Sequence, residues 1–195
     1  MIVPLSTILL VTSVLTSASP TAVRRAVQQL DQAAFEEAQV RDDTATRAFS
    51  DTAIKTSGGK CLSVDQLSGD FRANLTPVQV TACNSTDGQK WDIITSGKHL
   101  NQKGAMLVVS TLTQACLNFD PRRAAGNQVN LFSCGGRADG GGEQTDSQIF
   151  DFAGGAGPLA LALKNDAGSC LAVKGNVLDQ ASCSEGCAMQ SFTFG

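Results

Sequence analysis

The chain has no tyrosine, a single tryptophan and a single histidine. A surface of stacked aromatic platforms is therefore not expected. The lone histidine, His99, sits in the polar stretch Ser96–Asn101, which reads as surface loop. Nucleophilic triads generally need a histidine base. Glu36, Glu37, Glu143 and Glu185 are scattered, with no pairing at the spacing glycoside hydrolysis requires. No catalytic residue is expected, and the chain reads as a non-enzyme. Zinc sites need Cys and His in tight pairs. Cys183 with Cys187 is the one close pair, so neither a metal nor a cofactor is expected. Charged residues make up only 17% of the chain, the net charge is −3 and no basic block occurs, which argues against nucleic acid. The glycines at 135–136 and 140–142 precede no Gly-Lys-Ser/Thr and no helix, so they read as a flexible insertion rather than a phosphate cradle.

Residues 1–23 carry no charged side chain. Ile8–Leu15 forms an apolar centre and Thr16-Ser17-Ala18 offers small residues for cleavage, the pattern of a secretory signal peptide spanning 1–18. No later stretch is long and apolar enough to span a bilayer. A secreted, extracellular protein is expected, with no membrane association once the signal is removed. Seven cysteines agree with an oxidising compartment. The sequons at Asn74 and Asn84 are candidate glycosylation sites. Over residues 19–50, Val27, Leu30, Ala34 and Ala38 recur at helical spacing. That spacing predicts an amphipathic helix of about six turns, either a pro-segment removed at Arg24-Arg25 or a retained N-terminal helix.

From Ile54 onward, short apolar runs alternate with Gly, Asn, Asp and Ser, the pattern of an all-β barrel or sandwich. The runs repeat. Gly88-Gln89-Lys90-Trp91, Ser147-Gln148-Ile149-Phe150 and Met189-Gln190-Ser191-Phe192 each read Gln-x-aromatic. Upstream of each stands a Cys-apolar-x-apolar strand beginning at Cys61, Cys116 or Cys170, 55 and 54 residues apart. A fixed period of this kind marks one structural unit used three times.

Each opening cysteine is followed by a second one, 22, 18 and 13 residues on. One disulfide per repeat is expected: Cys61–Cys83, Cys116–Cys134 and Cys170–Cys183. Cys187 is left over, either free or replacing Cys183 as the partner of Cys170.

The triplicated Cys-Leu strand, second cysteine and Gln-x-aromatic turn resemble the ricin B-chain-like lectins, also known as family 13 carbohydrate-binding modules. The likeness runs from about Ile54 to Phe194. It implies a β-trefoil of three pseudo-symmetric lobes over residues 51–195, preceded by the N-terminal amphipathic helix. It also implies that Trp91, Phe150 and Phe192 lie in the central core.

Alternation along Cys116–Asp120 puts Leu117 and Phe119 on one face, and Asn118 and Asp120 on the other. The resemblance implies a sugar-gripping Asp two residues after the first Cys, an aromatic two before the second, and a polar residue before the Gln. This chain departs from that set in every lobe. Ser63, Asn118 and Ala172 hold the first position; Thr81, Phe132 and Ala181 the second; Gly88, Ser147 and Met189 the third. Only the middle lobe keeps both an acceptor and an aromatic. The expected ligand is a glycan or glycoprotein, bound weakly by Asn118, Asp120, Asn130 and Phe132. Asp65 and Asp120, each four residues after its Cys, are alternatively turn residues. The competing reading of the whole is a degenerate trefoil scaffold without sugar affinity, binding a protein partner such as a protease through its loops, with the Arg122-Arg123 loop or the glycine-rich loop as the contact.

Overall fold

The computed structural model describes residues 25–195, so the expected signal peptide at 1–18 and Arg24 lie outside the described residues. Among the described residues one α-helix, α1 (Gln32–Ala38), is followed, with four short 3-10 turns interspersed, by thirteen strands. They are β1 (Thr46–Thr52), β2 (Ile54–Thr56), β3 (Cys61–Ser63), β4 (Thr76–Pro77), β5 (Gln79–Thr81), β6 (Trp91–Ser96), β7 (Ala105–Ser110), β8 (Cys116–Phe119), β9 (Val129–Phe132), β10 (Phe150–Asp151), β11 (Ser169–Lys174), β12 (Val177–Ser182) and β13 (Phe192–Phe194).

The pairings close a ring. β6 pairs with β7, and β7 with β10. Phe150 of β10 bridges Leu163, and Leu159 bridges Phe192 of β13. β13 pairs with β2, and β1, which runs on into β2, pairs back onto β6. Closing a sheet on itself removes unpaired edges. Outside the ring stand three hairpins, one per repeat: β3–β5, β8–β9 and β11–β12. They meet one another where β4 pairs with β9 and β12 with β5.

The repeat explains the core. Leu62, Leu117 and Leu171, each directly after its lobe's first cysteine, are fully buried in one cluster with Trp91, Phe150 and Phe192. All three expected disulfides are formed, and Cys187 is free. The glutamines of the Gln-x-aromatic turns act as internal clamps. Gln89 accepts from the Asn84 N–H and donates to the Ala82 carbonyl, both at 2.8 Å, holding the residues that flank Cys83. Gln148 does the same to Gly135 and Ser133 around Cys134, and Gln190 to Ser184 and Ser182 around Cys183. A buried amide is stable only when its donors and acceptors are met, and one glutamine per lobe meets this need while tying the bridged strand to the core aromatic.

The N-terminal segment departs from expectation. The long helix expected over 19–50 is two turns among the described residues, capped by Asp31, whose Oδ1 accepts from the Ala34 N–H at 3.1 Å. Upstream, the Ala26, Val27 and Asp31 amides donate instead to the carbonyls of Leu67 and Phe71. Downstream, Thr46–Thr52 is a strand ahead of the boundary expected at 51. Tertiary demand outweighs helical spacing here. β6 needs an edge partner, and Phe49 packs against Phe194 with the rings tilted, 5.3 Å between centroids. The buried Asp92 carboxylate takes Arg47 Nε at 2.7 Å, pinning the strand.

Two further expectations are corrected. His99 is not on the surface but 6% exposed, its Nδ1 2.8 Å from the Glu143 carbonyl. The glycine-rich loop is not a flexible insertion. A β-carbon on Gly140 would lie 2.7 Å from the Glu37 carbonyl, and one on Gly142 would collide with the Gly135 carbonyl. Glycine is needed there because two backbones touch.

Candidate glycan-binding cleft

Asn118 stands on β8 directly opposite Asn130 on β9, and Phe132 stands opposite Cys116. The disulfide to Cys134 therefore fixes the strand end that carries Phe132. Above this pair opens a cleft of about 490 Å³, lined by Asn118, Asp120, Phe132, Ser147 and Asn165, with Leu75, Arg122 and Arg123 among the other walls. Three of the four residues expected for a site thus share one concavity. Asn130 does not: it is fully buried beneath Asn118.

Asn130 acts on the cleft through its neighbour. Its Oδ1 accepts from Asn118 Nδ2 at 3.4 Å, a long contact that ties the Asn118 amide to the floor of the cleft. Nδ2 of Asn130 is a buried donor with no partner among the described residues. Asn118 itself is only 7% exposed, more covered than side-chain alternation implies, because all four residues of β8 are buried.

Asp120 is both cleft wall and turn residue. Its Oδ1 accepts from the Arg122 N–H at 3.0 Å, and its two oxygens accept from Arg122 Nε at 2.8 Å and Nη2 at 3.0 Å. This bidentate guanidinium, ahead of the opposing effect of burial, holds the carboxyl below the usual carboxylate range. Asp65, the corresponding residue of the first lobe, caps its own turn through the Leu67 N–H and pairs with Arg25 at 2.9 Å.

Reading the middle repeat alone misses Leu75 and Asn165. They arrive from the first and third repeats, and nothing in their local sequence marks them. Asn165 is oriented by donating to the Phe119 carbonyl at 3.1 Å. Leu75 is carried by a turn in which Ala73 and Leu75 both have φ of 60°. Asn74 holds that turn: its Oδ1 accepts from the Ser133 N–H at 2.7 Å, from Ser133 Oγ at 3.0 Å and from Gln39 Nε2 at 3.0 Å. Its Nδ2 donates to the Ala138 carbonyl. Asn74 is fully buried, so the folded chain has no room for a glycan there, contrary to the sequon. Asn84 is exposed, and Thr86 Oγ1 lies 2.9 Å from its Oδ1.

The other lobes lack the pieces. Ser63 faces Gln79 and Ala172 faces Asp179 at the register of Asn118 and Asn130. A side chain at Gly88, the first-lobe counterpart of Ser147, would collide with the Val64 carbonyl.

Solved structures with the same arrangement include the designed threefold-symmetric protein ThreeFoil, at a TM-score of 0.53 and 18% identity over 73% of this chain and 96% of that one. The fold is a β-trefoil. The exo-β-1,3-galactanase of Clostridium thermocellum matches at 0.55 and 16% identity over 80% of this chain, which spans only 30% of that protein. The Rhizoctonia solani agglutinin matches at 0.50 and 14% identity over 73% of this chain and 92% of its own. At these identities the trefoil likeness is one of fold. No protein-family model matches the sequence, and no curated protein matches it.

Proposed function

We propose that this chain is a secreted, lectin-like protein with one weak glycan site, in the middle lobe of its trefoil. The observation that carries the reading is the convergence of Phe132, the oriented Asn118 amide, Ser147 and Asn165 on one cleft. An aromatic face covers the C–H face of a pyranose, and amides and hydroxyls pair with its hydroxyls. Weak binding follows because the family's carboxylate position holds a neutral amide, while Asp120 is already engaged by Arg122. The trefoil likenesses to an agglutinin and to part of a galactanase support the assignment at the level of fold. The segment from Arg25 onward is retained in the mature protein on this reading, since Gln39 and Ala38 are buried against the trefoil.

The test is calorimetric titration of a glycan panel into the secreted protein and its Phe132→Ala variant. The expected result is heat from wild type that the variant loses. Equal heats, or none from either, would sink the proposal. The absence of heat would favour the scaffold reading, which the incomplete first and third lobes support and a protease-inhibition assay tests.

A further inference from the structure

The charges of the middle-lobe cleft are unbalanced. Its walls carry two guanidiniums, Arg122 and Arg123, against one carboxylate, Asp120. Asp120 is consumed by Arg122, which takes both its oxygens. Arg123 is half-buried, and its Nε donates to the Asn127 carbonyl at 3.0 Å. That bond tethers the guanidinium through Nε, and no carboxylate among the described residues lies at ion-pair distance from it, Asp120 attracting it only from farther off. The first lobe offers no counterpart: after Asp65 it reads Gln66-Leu67-Ser68, where the middle lobe reads Pro121-Arg122-Arg123 after Asp120.

We infer that the cleft is built for a carboxylate-bearing sugar, whose anionic group seats on Arg123. The inference rests on the glycan-binding reading above and adds the ligand class. A guanidinium tethered through Nε presents its Nη groups as planar donors matched to a carboxylate, and less of its freedom is lost on binding than for a flexible lysine. The sugar ring then lies against Phe132, with its hydroxyls toward Asn118, Ser147 and Asn165. A neutral sugar leaves Arg123 facing a hydroxyl, and a hydrogen bond between charged partners is about twice as strong.

The test uses the whole secreted protein with its disulfides intact. An oligogalacturonide and sialyllactose are titrated beside the neutral probes galactobiose and lactose, at about 50 mM and about 500 mM salt. The acidic probes are expected to bind about tenfold tighter than their neutral counterparts at low salt. That preference should shrink at high salt and fall near unity in Arg123→Gln. The salt series in wild type stands independently of whether the variant folds, and the acidic probe that binds distinguishes the uronic from the sialic source. Equal affinity for acidic and neutral probes overturns this inference while leaving the glycan reading intact. A preference that persists in Arg123→Gln also overturns it. Silence from every probe removes both.

Discussion

The side-chain amide of Gln39 donates to Oδ1 of Asn74 at 3.0 Å, and through that bond the N-terminal segment is stitched to a polar hub beneath the middle lobe. The same oxygen receives Ser133, which precedes the bridged Cys134. One buried amide thus joins the segment after α1, the turn carrying Leu75 and the strand end carrying Phe132.

Asn74→Ala removes an acceptor used by three donors, all in the interior. Buried donors left unpaired cost about 1–3 kcal/mol each before relaxation, so a loss of about 3 kcal/mol is expected. Gln39→Ala should lose about 1 kcal/mol, because Asn74 Oδ1 keeps both its bonds from Ser133. Urea unfolding of the oxidised protein followed by Trp91 fluorescence measures both. Equal stability of wild type and Asn74→Ala would refute the hub.

Glycosylation should separate the two sequons. Peptide mapping of protein secreted from a eukaryotic host is expected to find glycan on Asn84 and an unmodified Asn74. The reason is burial: Asn74 donates from the very nitrogen a glycan would occupy. Glycan at Asn74 in the folded fraction would contradict the structure.

Asp92 accepts from Arg47 Nε at 2.7 Å and from the Asp51 N–H at 3.1 Å, and both ions are largely shielded from solvent. Removing one partner of such a pair strands the other, at a cost of about 3–5 kcal/mol. Asp92→Ala should therefore lower the unfolding midpoint more than Asp87→Ala, whose own carboxylate is exposed where it meets Lys90. Similar midpoints for the two variants would show that β1 is not anchored by this pair.

The Asp120 carboxyl is lowered chiefly by its hydrogen bond from Arg122. A carboxyl with a depressed folded pKa contributes stability that is fully present above its unfolded value, about 4. That contribution is lost as pH falls through the folded value. Wild type should thus exceed Asp120→Asn in unfolding midpoint at neutral pH, with the gap closing below about pH 4. A gap that stays constant down to about pH 2 would mean the Arg122 contact is not what lowers the carboxyl.

The three bridges are readable before any coordinates, and the three core aromatics and the closed ring follow from the family resemblance, because each depends on a unit repeated in the same chain. A cysteine, a leucine and a Gln-x-aromatic turn recur in fixed order, and the pairing that suits one copy suits all. Periodicity misleads where the chain does not repeat. Val27 and Leu30 are spaced as on a helix, yet their segment is irregular and its Ala26, Val27 and Asp31 amides donate to Leu67 and Phe71, because so short a helix on its own is marginal and tertiary bonds decide.

The sequence by itself determined the three repeats and, by alternation after Cys116, the shared face of Asn118 and Asp120; the lobe plan and the place of Phe132 came with the family resemblance. Tertiary structure alone decided what the cleft contains. It buried Asn130 as a support, closed Asp120 onto Arg122, and brought Leu75 and Asn165 in from neighbouring lobes. Contacts between residues about 45 positions apart in the chain, such as Asn165 with Phe119, are set by how the hairpins pack. Local side-chain pattern carries no record of that packing.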